Sequence, residues 1–211
     1  DNIMIKPFLL SEVGVTDPYL SNGFQKEKEY LLSFDSDKLL SHFRKTKGLK
    51  PKASCYQGWE DTEIRGHTLG HYLSALAQAY ATTKDIILEE RLQYILEELE
   101  HCQFDNGYLS AFPEEFFDRV EEGNPVWVPW YTMDKIMAGV VEVYLLTKWE
   151  LGLRIASRLG DWVYDRTNRW SDELQLKVLS VEYGGMNDCM YELYKITGDE
   201  KHSIAAHKFD E

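Results

Sequence analysis

Three times along the chain an apolar, helix-compatible stretch closes on the same signature: Tyr80-Ala-Thr-Thr-Lys84, Tyr144-Leu-Leu-Thr-Lys148 and Tyr194-Lys-Ile-Thr-Gly198. The pattern Y-x-x-T-[KG] returns after 64 and then 50 residues, and each time a second helical stretch follows within a few residues. Leu88, Leu92, Ile95, Leu96 and Leu99, for example, recur at helical spacing after the first signature. A helix, a short turn and a second helix make an αα-hairpin, which cannot bury its apolar face alone and must stack on its neighbours. The expected fold is therefore all-α, with αα-hairpin repeats forming part of an (α/α)6 toroid. The first helix of each pair lines the inside, where Ser74, Ala75, Ala77, Ala79, Ala138, Gly139, Gly184 and Gly185 permit close approach, and the second helix lies outside. About three pairs are legible, half a ring.

The chain reads as one domain over residues 1–211, with residues 1–34 as an N-terminal extension leading into a first helix bounded by the candidate N-caps Asp35, Ser36 and Asp37 and by Gly48. Hydrophobic residues make up 44% and charged ones 28%, the balance of a globular protein. A net charge of −13 spread along the chain repels a nucleic-acid backbone, so no nucleic-acid partner is expected. No apolar run reaches membrane-spanning length, so no membrane partner is expected either. Cys55, Cys102 and Cys189 lie far apart without C-x-x-C spacing, which fits free thiols of a cytoplasmic protein.

Aromatic residues gather at the joints ahead of the inner helices: Trp59, Glu60, Asp61 and His67 before the first, Trp127, Trp130, Tyr131 and Asp134 before the second, Glu182, Tyr183 and Asn187 before the third. In a toroid these joints converge on one mouth, and Trp and Tyr planes set among carboxylates and amides suit a carbohydrate. Each feature keeps a plainer reading. The i, i+4 pair His67 and His71 fits hydrogen-bonded core residues, a metal or a ligand contact. Trp130 and Tyr131 fit core packing as well as a sugar platform. Glu60, Asp61 and Glu63 are acids of the kind favoured near a helix N-terminus. Glu182, ahead of Gly184 and Gly185, fits a cap or turn as well as a catalytic acid.

The ordered segments GWEDTEIRGHTLGHYLSALAQAYA, NGYLSAFP, VPWYTMDKIMAGVVEVY and VEYGGMNDCMYELYKITGD resemble the N-terminal half of the β-L-arabinofuranosidase-like glycoside hydrolases. The resemblance implies an (α/α)6 barrel and a retaining mechanism in which a zinc-bound cysteine thiolate attacks the anomeric carbon while a glutamate protonates the leaving oxygen. It also implies zinc held by one Glu and three Cys, from a Glu-x-Cys and a Cys-Cys motif in the second half of the domain. None of the three cysteines here matches those motifs, so zinc is expected in the intact enzyme but not on residues of this chain, which reads as ending before the catalytic centre. Carried over are sugar-pocket residues: His67 and His71 in G-H-x-x-G-H, Trp130 and Tyr131 in P-W-Y-T, Glu182, Gly184, Gly185 and Asn187 in E-[FY]-G-G-M-N. Asp134 stands where the family usually has His, exchanging a donor for an acceptor.

The resulting expectation is a glycoside hydrolase fragment acting with the rest of its domain on terminal β-L-arabinofuranosyl linkages of plant-derived glycans. Two alternatives stand beside it: a metal-independent glycosidase using Asp134 and Glu182 as a carboxylate pair, and a non-catalytic helical-repeat module binding a glycan or protein. An open half ring exposes apolar edges, so self-association is also expected.

Overall fold

In a computed structural model, residues 18–182 and 185–210 are described, with side chains from residue 22 onward. Among them are ten α-helices and no strand. These are α1 (Pro18–Leu32), α2 (Ser36–Lys47), α3 (His67–Thr83), α4 (Ile86–Cys102), α5 (Glu115–Glu122), α6 (Pro129–Thr147), α7 (Glu150–Thr167), α8 (Asp172–Val181), α9 (Met186–Thr197) and α10 (Glu200–His207). A 3-10 turn, Gly58–Asp61, precedes α3.

The repeated signature is a hairpin device. Thr83, Thr147 and Thr197 each donate a hydroxyl hydrogen bond to the carbonyl four residues back, at 2.8, 2.7 and 3.1 Å. The same oxygens accept the N–H two residues on, from Asp85, Trp149 and Asp199, at 3.3, 3.1 and 3.2 Å. The next residue turns left-handed, at φ 55° for Lys84, 60° for Lys148 and 66° for Gly198, and its N–H returns to the Tyr carbonyl. Asp85 and Asp199 then cap the following helix with their carboxylates. One threonine thus ends a helix and fixes the exit of the chain, which is why so short a pattern marks each pair.

The helices form two layers. The first helices α3, α6 and α9 pack side by side, and the second helices α4, α7 and α10 cover them. The segment expected as an extension is more than that: residues 18–32 are helical, with α1 lying against α3 and α2 against α4. The layers hold four pairs rather than three. Tyr72 donates to the Leu31 carbonyl at 2.7 Å, and Lys28 pairs with Asp85, joining the new pair to the old. As expected, Asp35 caps α2, accepting from Asp37 N–H at 2.9 Å, and Gly48 ends it at φ 85°.

Among the described helices, α3 and α6 share the most extensive contact. A methyl group on Gly70 would collide with the Lys135 carbonyl, and one on Gly139 would stand 2.5 Å from the Gly70 carbonyl oxygen. Backbone therefore touches backbone there, and Gly139, one of the small residues expected on the inner helices, serves this approach. The core runs continuously from Leu39 and Phe43 through Leu73, Ile136 and Val140 to Leu159 and Leu193.

Two short helices lie in connections that read as loops. On α5, Phe116, Phe117 and Val120 face inward. Arg166 of α7, only 5% exposed, holds this helix through Glu121, at 2.8 and 2.9 Å, and through Asp118. α8 packs on α5 and delivers the chain to Glu182.

Candidate functional site

The N-termini of α3 and α6 open on one rim. Gly66 enters α3 at φ 104°. Glu60, 7% exposed, reaches back from the 3-10 turn and accepts the N–H groups of Gly66 at 3.0 Å and Thr68 at 3.3 Å. It stands where the positive end of the helix favours an anion. Val128 enters α6 at φ 37°, a conformation a β-branched residue rarely takes. Here the cap comes from another hairpin. Glu182 accepts the N–H groups of Trp130 at 3.3 Å and Tyr131 at 3.1 Å with its two oxygens. Burial pushes the Glu182 carboxyl up to about 7 against the pull of those two hydrogen bonds. A third acid, Glu63, accepts from Trp127 N–H at 2.7 Å, so the first joint also holds the second.

On this frame the imidazole of His67 lies 6.1 Å from His71 and 6.3 Å from the Tyr131 ring, centroid to centroid. His67 Nδ1 sits 2.9 Å from the Ile64 carbonyl. A carbonyl can only accept, so Nδ1 carries a proton, and in the neutral ring Nε2 is the acceptor. Burial, Lys135 and His67 lower the pKa of His71, which favours its neutral form. Tyr131 is 43% exposed, and Lys135 lies over its ring at 5.2 Å, one helical turn on. The same ammonium is 3.3 Å from Asp134 Oδ2, and burial raises the Asp134 carboxyl while Lys135 opposes the rise. A methyl on Gly185 would strike the Asp134 carboxylate, so the glycine admits the acid. Trp59 and Trp127, 60% and 44% exposed, meet edge to face at 5.4 Å on the rim.

The residues singled out from sequence therefore divide. His67, His71 and Tyr131 come together, with Asp134 reached through Lys135. Trp130 departs from the sugar-platform expectation: it is 3% exposed, and its ring is enclosed by Phe117, Trp162, Trp170 and Phe209, because it is the inward-facing residue of the first turn of α6. Glu182 is placed as a helix cap beside a cavity of about 190 Å³ shared with Trp130, Tyr131 and Met186. Asn187 turns its oxygen to its neighbour Asp188, at 2.9 Å. Tyr183 and Gly184 lie outside the described residues. Lys135 escaped notice in the sequence, although its i, i+4 spacing from Tyr131 was the available signal.

A groove between α6 and α9 leads away from the rim, with Asp134, Lys135, Ala138, Val141 and Cys189 among its lining. All three cysteines are free, and Cys102 and Cys189 are buried. Among the described residues two side-chain groups have metal-ligand spacing, and neither contains two cysteines. The chain's own residues therefore do not fit a Glu-plus-three-Cys zinc centre. No helix among the described residues is long and apolar enough to cross a membrane.

Paired helices in two layers, with polar and aromatic groups gathered at the inner-helix N-termini, define the (α/α) toroid class of protein. The family model described as β-L-arabinofuranosidase, GH127 catalytic domain, matches residues 12–211, and the chain belongs to that family of glycoside hydrolases. Among solved structures it is similar to a GH127 β-L-arabinofuranosidase from Geobacillus stearothermophilus T6, with TM-score 0.62 and 16% identity over 82% of this chain and 26% of that one. It is likewise similar to the GH127 β-arabinofuranosidase BT3674, with TM-score 0.60 and 16% identity over 96% of this chain and 30% of that one. At such identity the likeness concerns the fold, and the chain spans less than a third of either enzyme. No curated protein matches it significantly.

Proposed function

We propose that this chain forms one wall of the sugar pocket of a glycosidase that removes terminal β-L-arabinofuranosyl groups from plant-derived glycans. The observation that carries the proposal is the meeting of His67, His71 and Tyr131, from two inner helices, on one open rim of a family member. The exposed Tyr131 ring offers a flat face to sugar C–H groups, His67 Nε2 accepts from a hydroxyl, and Lys135 and Asp134 supply a donor and an acceptor side by side. Asp134, in place of the family's usual His, biases the pocket toward hydroxyl groups that donate. The residues of this chain hold and orient a sugar, and no bond-breaking step is assigned to them.

Glu182 supports this division of labour, since both its oxygens are engaged by backbone N–H groups. The intact catalytic domain should hydrolyse p-nitrophenyl β-L-arabinofuranoside, and His71→Ala or Tyr131→Ala should lower kcat/KM by about tenfold or more, the worth of one good polar or stacking contact. Unchanged kcat/KM in both variants would remove these residues from the pocket. Turnover by the 211-residue chain alone, without metal, would replace the proposal with the carboxylate pair Asp134 and Glu182. The expected self-association is read by light scattering, where a monomer at high concentration would oppose it.

A further inference from the structure

Away from the rim, side chains from α2, the loop after it and the 3-10 turn meet where α2 faces that turn. Cys55 Sγ lies 3.7 Å from Asp61 Oδ1, and His42 Nε2 lies 3.8 Å from the same oxygen. One ligand atom from each of the three falls within 4.8 Å of the other two. His42 Nε2 is buried and has no hydrogen-bond partner among the described residues, an uncommon state for a ring nitrogen. A cavity of about 520 Å³ adjoins the group, bounded also by Ser41, Lys45 and Lys52. The other His-and-acid group, Asp161, Asp199 and His202, lacks this incompleteness. There His202 Nε2 is bonded to Asp161 at 2.9 Å and Nδ1 to Thr197 at 2.8 Å, while Lys201 pairs with both acids.

We propose that His42, Cys55 and Asp61 are three protein ligands of a zinc-class metal site, with a fourth position facing the adjoining cavity. Tetrahedral zinc, with Zn–S near 2.3 Å and Zn–N and Zn–O near 2.1 Å, sets its ligand atoms roughly 3.3 to 3.7 Å apart. The Cys55–Asp61 separation of 3.7 Å lies at the edge of that range and the His42–Asp61 separation of 3.8 Å just beyond it, while His42 and Cys55 lie within 4.8 Å of each other and close on the metal. In the metal-free protein the Cys55 thiol donates to Asp61. Binding replaces that thiol proton, which leaves to solvent, so the metal meets one thiolate, one carboxylate and one neutral imidazole. A thiolate selects zinc or cobalt over magnesium and calcium. Arg65, the nearby guanidinium, is already committed to the carbonyls of Ala111 and Thr62.

The site would fasten α2 to the turn whose Glu60 caps α3 beneath His67, so it serves as a clamp behind the rim. It does not depend on the proposed substrate. The test is titration of the 211-residue chain with cobalt(II), followed by near-ultraviolet absorption. The expected result is a thiolate-to-cobalt charge-transfer band saturating at one equivalent and displaced by zinc. Cys55→Ser should abolish the band, and His42→Gln should weaken binding about a hundredfold or more, beyond the loss from an outer-shell change. Cys102→Ser and Cys189→Ser should keep it. Far-ultraviolet circular dichroism matching the parent certifies the Cys55→Ser and His42→Gln chains as folded. No band, or a band that survives Cys55→Ser, overturns the site. As a second reading, zinc should raise the thermal transition of the parent and leave that of Cys55→Ser in place; equal shifts would also overturn it.

Discussion

Adding one methyl group to Gly139 is expected to loosen the whole rim. In Gly139→Ala the new carbon would lie 2.5 Å from the Gly70 carbonyl oxygen and 3.0 Å from the Gly70 Cα. An ordinary contact needs roughly 3.4 Å, and the obstacle is backbone held in a neighbouring helix, so α3 and α6 must part by close to 1 Å. Overpacking of a tight core costs about 1 to 3 kcal/mol, and with backbone as the obstacle the upper end applies. Alanine returns about 1 kcal/mol through helix propensity, leaving a net loss near 2 kcal/mol. For a chain of this size that is a fall of about 4 to 8 °C in Tm. Gly23→Ala is the control, because Gly23 is exposed within α1 and, among the described residues, nothing lies within 4 Å of its added methyl. It should raise stability by up to about 1 kcal/mol. Urea unfolding of both variants checks the signs, and a Gly139→Ala chain as stable as Gly23→Ala would refute the argument that backbone contact sets the crossing.

The raised Glu182 carboxyl makes stability fall with pH. Its neutral form is favoured in the folded chain, so its contribution is complete below about pH 4.5 and lost as pH climbs to about 7, a change near 3 kcal/mol. Urea midpoints at pH 5 and pH 8 should show this decline in the parent and a flatter profile in Glu182→Gln; parallel profiles would contradict it. Glu60→Ala should cost about 2 kcal/mol, since two N–H groups of α3 lose their acceptor, with little change expected from Asp105→Ala on the surface. Thr147→Val, which removes a donor and an acceptor from the hairpin device, should lose about 1 kcal/mol by chemical denaturation. Lys84→Gly with Lys148→Gly should gain about 1 kcal/mol in the same assay, from relief of two left-handed lysines less two exposed cation–π contacts.

The parts of the fold that could be read from sequence were those governed by local rules. The three threonine turns, the Asp35 cap and the Gly48 stop act within a few residues of themselves, so spacing exposes them. Helix α1 escaped because its apolar face is weak and Gly23 interrupts it, and it is held by distant partners such as Tyr72 and Asp85. Helices α5 and α8 escaped because aromatic joints hide short amphipathic turns. At the site, G-H-x-x-G-H did place His67 and His71 on one rim with Tyr131. The sequence offers no sign that Trp130 turns inward while its neighbour Tyr131 turns outward, since both belong to one motif and only the packing of Phe117, Trp162, Trp170 and Phe209 around Trp130 separates them. His42, Cys55 and Asp61 are 13 and 6 residues apart, a spacing that no metal motif anticipates.

The acids at the rim also bear on how such chains can be recombined. Glu63 of one joint secures Trp127 of the next, and Glu182 of a later joint secures the entry to α6. A chimera cut at the Tyr80–Thr83 or the Tyr144–Thr147 turn would import a helix pair without the carboxylate that seats it, leaving amides bare on one side of the seam and an acid stranded on the other. A crossover point placed within α9, downstream of its first turn, would keep each of these carboxylates with the amides it holds. Shuffling among relatives of this fold should therefore tolerate a seam after the first turn of α9 better than any seam between Glu63 and Glu182.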